Sequence, residues 1–87
     1  MAIAFIPAVL QDSTDGKFAI EVGGTTVGQV IENLEIALPG IRERLVERDR
    51  LRPNIRVAVD GRLSSIGLLE RVSPSSEVHF IPAATGG

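Results

Sequence analysis

The 87-residue chain contains no cysteine. That absence excludes disulfides, thiolate metal sites, persulfides and cysteine nucleophiles together. Histidine is represented once, by His79, so a histidine-rich metal site is excluded as well. The aromatics are Phe5, Phe18 and Phe80 alone, too few for the stacking platforms that single-strand binders use. The formal net charge of −2 argues against a surface built for phosphate backbones, so no nucleic-acid partner is expected. No apolar run approaches the roughly 20 residues of a membrane span, and no basic-then-apolar leader opens the chain. The expectation is a cytoplasmic protein with no membrane partner. A chain of this length buries only roughly 60–65% of its unfolded surface, which leaves room for one core and little for an enclosed pocket. A free-standing enzyme is therefore not expected.

What is present is regular. Ala2 to Leu10 is almost wholly apolar, and its length suits a strand. Pro7 sits awkwardly there, since proline cannot donate to a ladder, and a local break in pairing is expected. Gln11 to Gly16 is turn chemistry, ending in Asp15-Gly16. Phe18, Ile20 and Val22 alternate with Ala19 and Glu21, predicting a second strand and hence a hairpin. Val27, Val30, Ile31, Leu34 and Leu38 then form one apolar helical stripe. Thr26 fits the N-cap, with Gln29 reaching back as in a capping box, and Pro39-Gly40 stops the helix. Ile41 to Arg48 can add two further turns, and Arg50 to Asn54 reads as a connector. Ile55, Val57 and Val59 alternate with Arg56 and Ala58, Asp60-Gly61 is a second hairpin signal, and a short strand follows near Arg62-Leu63. Ser64 to Val72 reads as a compact loop or short helix pinned by Ile66, Leu68, Leu69 and Val72. Val78 to Ile81 is the last strand.

One helix can cover only one face of such a sheet, so the fold class is α+β in two layers. A β-grasp domain is the economical arrangement: a mixed sheet of four or five strands, with one main helix packed on one face. The first and last strands then lie parallel in the middle, joined by a legal crossover. Residues 1–82 form this domain and residues 83–87 a flexible C-terminal tail.

The chain ends on Gly86-Gly87. Two glycines can lie extended in a channel too narrow for any side chain, and they present an α-carboxylate on a thin stem. The element order, the Thr26-Val27 helix start, the Asp60-Gly61 hairpin and the ending EVHFIPAATGG resemble the ubiquitin-related sulfur-carrier family. That family includes the molybdopterin synthase small subunit and the thiamine sulfur carrier. Ile6-Pro7-Ala8-Val9-Leu10, Pro39-Gly40-Ile41-Arg42-Glu43-Arg44-Leu45 and Asn54 to Arg62 (NIRVAVDGR) look closer to its cysteine-biosynthesis branch.

The resemblance implies that the Gly87 carboxylate is the site of adenylation and becomes a thiocarboxylate, with no catalytic residue in the chain. Gly86, Thr85, Ala84 and Ala83 are implied to thread into the partner. An E1-like adenylyltransferase is the implied activating partner and supplies ATP and magnesium, while no cofactor or metal is bound by this chain. The implied sulfur acceptor is a biosynthetic enzyme of cysteine synthase-like, thiazole synthase-like or similar type. The chain is then a protein cosubstrate rather than an enzyme. Two other readings stay open on the residues alone. One is a ubiquitin-like modifier joined through Gly87 to lysines, and the other a non-covalent β-grasp interaction module.

His79 alternates with Val78 and Phe80, so it is expected on the sheet's open face with Ile81, as a half-exposed strand residue or a partner contact. The first strand is apolar on both faces, which points to an apolar patch around Ile3, Phe5 and Ile81. Either the patch is an interface or the Ser64–Val72 segment covers it. Arg42 to Arg56, rich in arginine, reads as a solvated face.

Overall fold

The computed structural model describes residues 1–13, 16 and 18–83. Strand β1 runs Ala2–Phe5, β2 Ala19–Val22, helix α1 Val27–Ala37 and helix α2 Ile41–Leu45. Two-residue strands β3 (Val46–Glu47) and β4 (Arg50–Leu51) follow, then β5 (Ile55–Val59), β6 (Arg62–Leu63) and β7 (Glu77–Pro82). The main sheet has the order β2-β1-β7-β5-β6, with β1 and β7 parallel and the other pairs antiparallel. This is the β-grasp arrangement, with the first and last strands adjacent in the middle.

The apolar stripe of α1 explains the layering. Val27, Val30, Ile31 and Leu34 are buried against one face of the sheet, formed by Ala2, Ala4, Val22, Val57, Val59, Val78 and Phe80. Each such aliphatic side chain contributes about 1.5–3 kcal/mol by leaving water. The Thr26 hydroxyl accepts from the Gln29 amide at 3.2 Å, closing the helix N-terminus. Gln29 reaches back one residue further than expected, its Oε1 accepting from the amide and hydroxyl of Thr25. At the far end, the Glu35 carboxylate accepts from the amides of Gly40 and Arg42, and so caps α2 from α1. Those two amides, Gly40 first, hold the Glu35 carboxyl below its ordinary pKa.

Several expectations are corrected. The first strand ends at Phe5, and Ala8–Ser13 form a 3₁₀ helix, opened by the Leu10 amide donating to the Pro7 carbonyl at 2.9 Å. Proline has no amide to continue the ladder, so the chain leaves the sheet there. Phe18 is exposed rather than core-facing: it lies beyond the end of edge strand β2, where its carbonyl accepts from the Ile6 amide. The Asp15-Gly16 turn lies partly outside the described residues; Gly16 itself has φ +81°. Helix α2 ends at Leu45, about one turn short of the expected Arg48, and the β3–β4 hairpin follows it.

The 64–72 segment packs on the helical layer, not on the open face. Val27 donates to the Glu70 carbonyl, and Val72 to that of Thr25. Within the segment Gly67–Leu69 is a 3₁₀ turn, of which Leu68 packs inward while Ile66 and Leu69 stay exposed. Gly28 permits this approach: a Cβ there would lie 3.3 Å from the Leu68 carbonyl oxygen.

Candidate functional site

The face of the sheet opposite α1 carries the residues singled out from the sequence. Register places Phe5 beside His79 across the parallel β1–β7 pair, His79 beside Ala58, and Ala58 beside Leu63. Ala19 pairs with Phe5 at the other edge. Because directly paired residues share a face, Ala19, Phe5, His79, Ala58 and Leu63 form one row across all five strands. The Phe5 and His79 rings stack at a centroid distance of 4.2 Å and an interplanar angle of 5°. Stacked ring pairs at such separations stabilise beyond the burial of their separate areas.

Ile3 and Ile81 extend the row on either side. Ile3 lies between Glu21 and Glu77, and Ile81 opposite Arg56. Phe5 and His79 are half-buried, and Ile81 is 38% exposed. Formal charge of the carboxylates and arginines therefore borders the row. The Nε2 of His79 lies 3.4 Å from Glu77 Oε1, at the outer limit of a hydrogen bond. The patch is continuous from Ile3 to Ile81 and nothing among the described residues covers it. Of the two sequence alternatives for this face, the covering one is excluded by the position of residues 64–72.

The same central strand β7 leads to the chain's end. Its ladder with β5 runs from Val78 to Pro82, and Ala83 continues it by donating to the Asn54 carbonyl at 2.7 Å. Ala83, assigned to the tail from the sequence, is thus half-buried and held at the sheet margin. Ala84, Thr85, Gly86 and Gly87 lie outside the described residues. Among the described residues no group of three or more metal-ligating side chains converges, and no helix is long and apolar enough to cross a membrane.

Sequence reasoning missed Ala58 and Leu63 as members of the row. Alternation put Ala58 on the outer side of its strand, but only the β5–β6 and β5–β7 registers reveal which residues stand beside it. The fold is anchored below this surface by a polar cluster at the start of β7. The Asp60 carboxylate accepts from the Glu77 amide and the buried Ser76 hydroxyl, both at 2.9 Å. These two bonds, the amide first, hold the Asp60 carboxyl below its ordinary pKa.

Comparison with known proteins agrees with this geometry. The sulfur carrier protein CysO of Mycobacterium tuberculosis (strain ATCC 25618 / H37Rv) is 33% identical over 88 residues, covering 94% of each chain. A chain in a crystal structure of the Amycolatopsis orientalis BexX/CysO complex superposes with a TM-score of 0.90 at 31% identity, over 100% of both chains. The solution structure of small archaeal modifier protein 1 from Methanosarcina acetivorans shares the fold, with a TM-score of 0.81 at 20% identity, over 99% of this chain and 95% of that one. The match to the ThiS family extends over residues 4–87, so it takes in the second half of β1, Phe5 and His79 of the open face, β7 and the glycine pair in a single alignment. A match of that length, carried on this topology, settles the kinship: the chain belongs to the ThiS family.

Proposed function

We propose that the chain is a sulfur carrier, a protein cosubstrate whose Gly87 carboxylate is activated and sulfurated by partner enzymes. An oxygen of that carboxylate attacks the α-phosphorus of ATP on an E1-like adenylyltransferase, releasing pyrophosphate. Hydrosulfide, or a donor carrying sulfur at the sulfide level, then attacks the acyl-adenylate carbon and expels AMP, leaving a thiocarboxylate. A biosynthetic enzyme, cysteine synthase-like or thiazole synthase-like, takes the sulfur, with the cysteine-synthesis type favoured by the CysO likeness. ATP and magnesium belong to the activating enzyme.

The observation that carries this reading is the family match running through Gly87 on a fold whose central strand leads to that residue. The uncovered row centred on Phe5 and His79 supplies a docking surface beside the same strand. A channel in the partner would accept Gly86 and Gly87 because neither has a Cβ, with Ala83, Ala84 and Thr85 as the adjoining stem.

The test is ATP–pyrophosphate exchange with the adenylyltransferase encoded in the same genome, followed by intact mass after addition of a sulfur donor. The parent chain is expected to gain the mass of one oxygen replaced by sulfur. Gly86→Val should lower activation about a hundredfold or more, since small misplacements at a reacting centre have that effect, while its melting curve stays unchanged. Phe5→Ser should weaken complex formation by about 1–3 kcal/mol. High-mass conjugates through lysine in place of the thiocarboxylate would support the modifier reading. An unaltered terminus in every condition would support the interaction module.

A further inference from the structure

Charge is distributed unevenly along this chain. Residues 42–56 hold six arginines against Glu43, Glu47 and Asp49, whereas the rest of the chain holds three cations against eight carboxylates. Arg42 and Arg52 are among those tied down. Arg42 Nε donates to Glu32 at 2.7 Å, and Arg52 donates to the Glu43 carbonyl and the Glu47 carboxylate. The side chains of Arg48, Arg50 and Arg56 are exposed, with no hydrogen-bond or ion-pair partner among the described residues.

Their placement is specific. Arg48 and Arg50 line a cleft of about 410 Å³ with Glu47, Leu51 and Pro53. Pro53 adjoins Asn54, whose carbonyl holds the Ala83 amide, and Arg56 stands opposite Ile81 on the open face. Unpaired positive charge therefore flanks the point where β7 ends. Arg48 and Asp49, the central residues of the β3–β4 turn, have φ of +53° and +62°. Glycine adopts that backbone freely and L-residues do not. A turn needed only for its shape has no use for an arginine there, and among the described residues no side-chain hydrogen bond or ion pair explains this one.

We propose that Arg48, Arg50 and Arg56 form an electrostatic docking surface for an acidic protein surface, one that borders the entrance receiving this chain's C-terminal end. The inference rests on the sulfur-carrier reading and adds to it the charge of the activating enzyme at that entrance. A protein partner fits better than a nucleic acid. The interleaved Glu43, Glu47 and Asp49 would repel a continuous phosphate backbone, whereas a protein can set its carboxylates against individual arginines. The guanidinium fork pairs with a carboxylate through two parallel hydrogen bonds, and Leu51 and Pro53 offer the cleft an apolar floor. Opposite charge around the entrance raises the encounter rate before the tail engages.

The experiment is steady-state ATP–pyrophosphate exchange with the adenylyltransferase of the same genome, at low and high salt. The variants are Arg48→Glu with Arg50→Glu, and Arg56→Glu. The control is Arg62→Glu, the same charge change on β6, opposite Val59 at the end of β5 remote from Ala83. The first two should raise KM for the carrier about tenfold at low salt with kcat unchanged, and the difference should shrink at high salt. Arg62→Glu should leave KM where it was. Should the double reversal unfold the domain, Arg48→Gly with Arg50→Gln relaxes the turn and is expected to raise KM in the same direction. An unchanged KM in the variants overturns the proposal, and so does an equal rise in the Arg62 control. Loss of single-stranded RNA binding in the double variant with KM intact overturns it in favour of a nucleic-acid surface. If the parent chain is not activated at all, the sulfur-carrier reading itself falls.

Discussion

Two hairpin turns of this molecule share a backbone shape and differ in everything else. Between β5 and β6, Asp60 and Gly61 have φ of +52° and +84°; between β3 and β4, Arg48 and Asp49 have +53° and +62°. Both pairs have the positive φ at two successive residues that a type I′ turn requires. In the first turn the residues are the ones that backbone geometry favours, and the side chain is used inside the fold. Asp60 bonds Ser76 and Glu77, and its own amide donates to the Glu77 carbonyl, so the turn is fastened to β7. In the second turn neither residue is glycine, and neither Arg48 nor Asp49 has a partner among the described residues. The left-handed backbone costs a non-glycine residue about 1 kcal/mol or more. One turn serves the fold through its contacts, while the other holds an unfavourable shape that presents charge to the outside.

The contrast can be broken at its strongest point by Gly61→Val. A Cβ at Gly61 would meet nothing within 4 Å, so the whole effect comes from the backbone. A loss of about 1–2 kcal/mol is expected, read as a fall of several degrees in melting temperature. If Gly61→Val melts with the parent, the positive φ there has no energetic weight.

A smaller loss is expected from Asp60→Asn, which tolerates the backbone but cannot accept from both donors. Its signature is pH dependence. The folded-state pKa of Asp60 is depressed below 3.8, so the stability it contributes is present above that value and disappears as pH falls through the folded pKa. The gap between parent and variant melting temperatures should therefore be open at neutral pH and close in acid. A gap that stays constant from neutral pH into acid would show that the carboxylate charge is irrelevant.

The smallest effect is a gain. Arg48→Gly should stabilise the chain by about 0.5 kcal/mol, as relief of the left-handed strain is partly offset by the added freedom of the unfolded chain. Chemical denaturation resolves such a change through its midpoint. A loss instead of a gain would mean that Arg48 has a structural contact, and the division of labour between the two turns would fail.

These two turns also mark how far the sequence could be read. Asp60-Gly61 is recognisable on sight, because the residue pair that suits the backbone is also the pair present. Arg48-Asp49 is not, because its strands have two residues each and its turn residues follow no steric preference; the segment therefore reads as a helix end and a connector. Thr26 and the stripe from Val27 to Leu34 were legible for the opposite reason: capping and helical periodicity act within a few residues, so local chemistry decides them. Phe18 shows the limit of alternation. It keeps the period of Ile20 and Val22 but lies past the last strand pair. The Gly86-Gly87 ending is visible in the sequence alone and lies outside the described residues.

What the sequence by itself determined is a two-layer α+β domain with one main helix, since periodicity, caps and turn pairs are local properties with local causes. It also determined that the first strand is apolar on both faces. Only the tertiary structure decided which of those faces α1 covers, and that residues 64–72 go to the helical layer. It alone set Phe5 on His79, from opposite ends of the chain, and the Ala83 amide on the Asn54 carbonyl. The physical reason is that strand register and layer choice are settled by contacts between distant residues. A period of two reveals that a strand has two faces, but only packing against the rest of the chain decides which one is left to a partner.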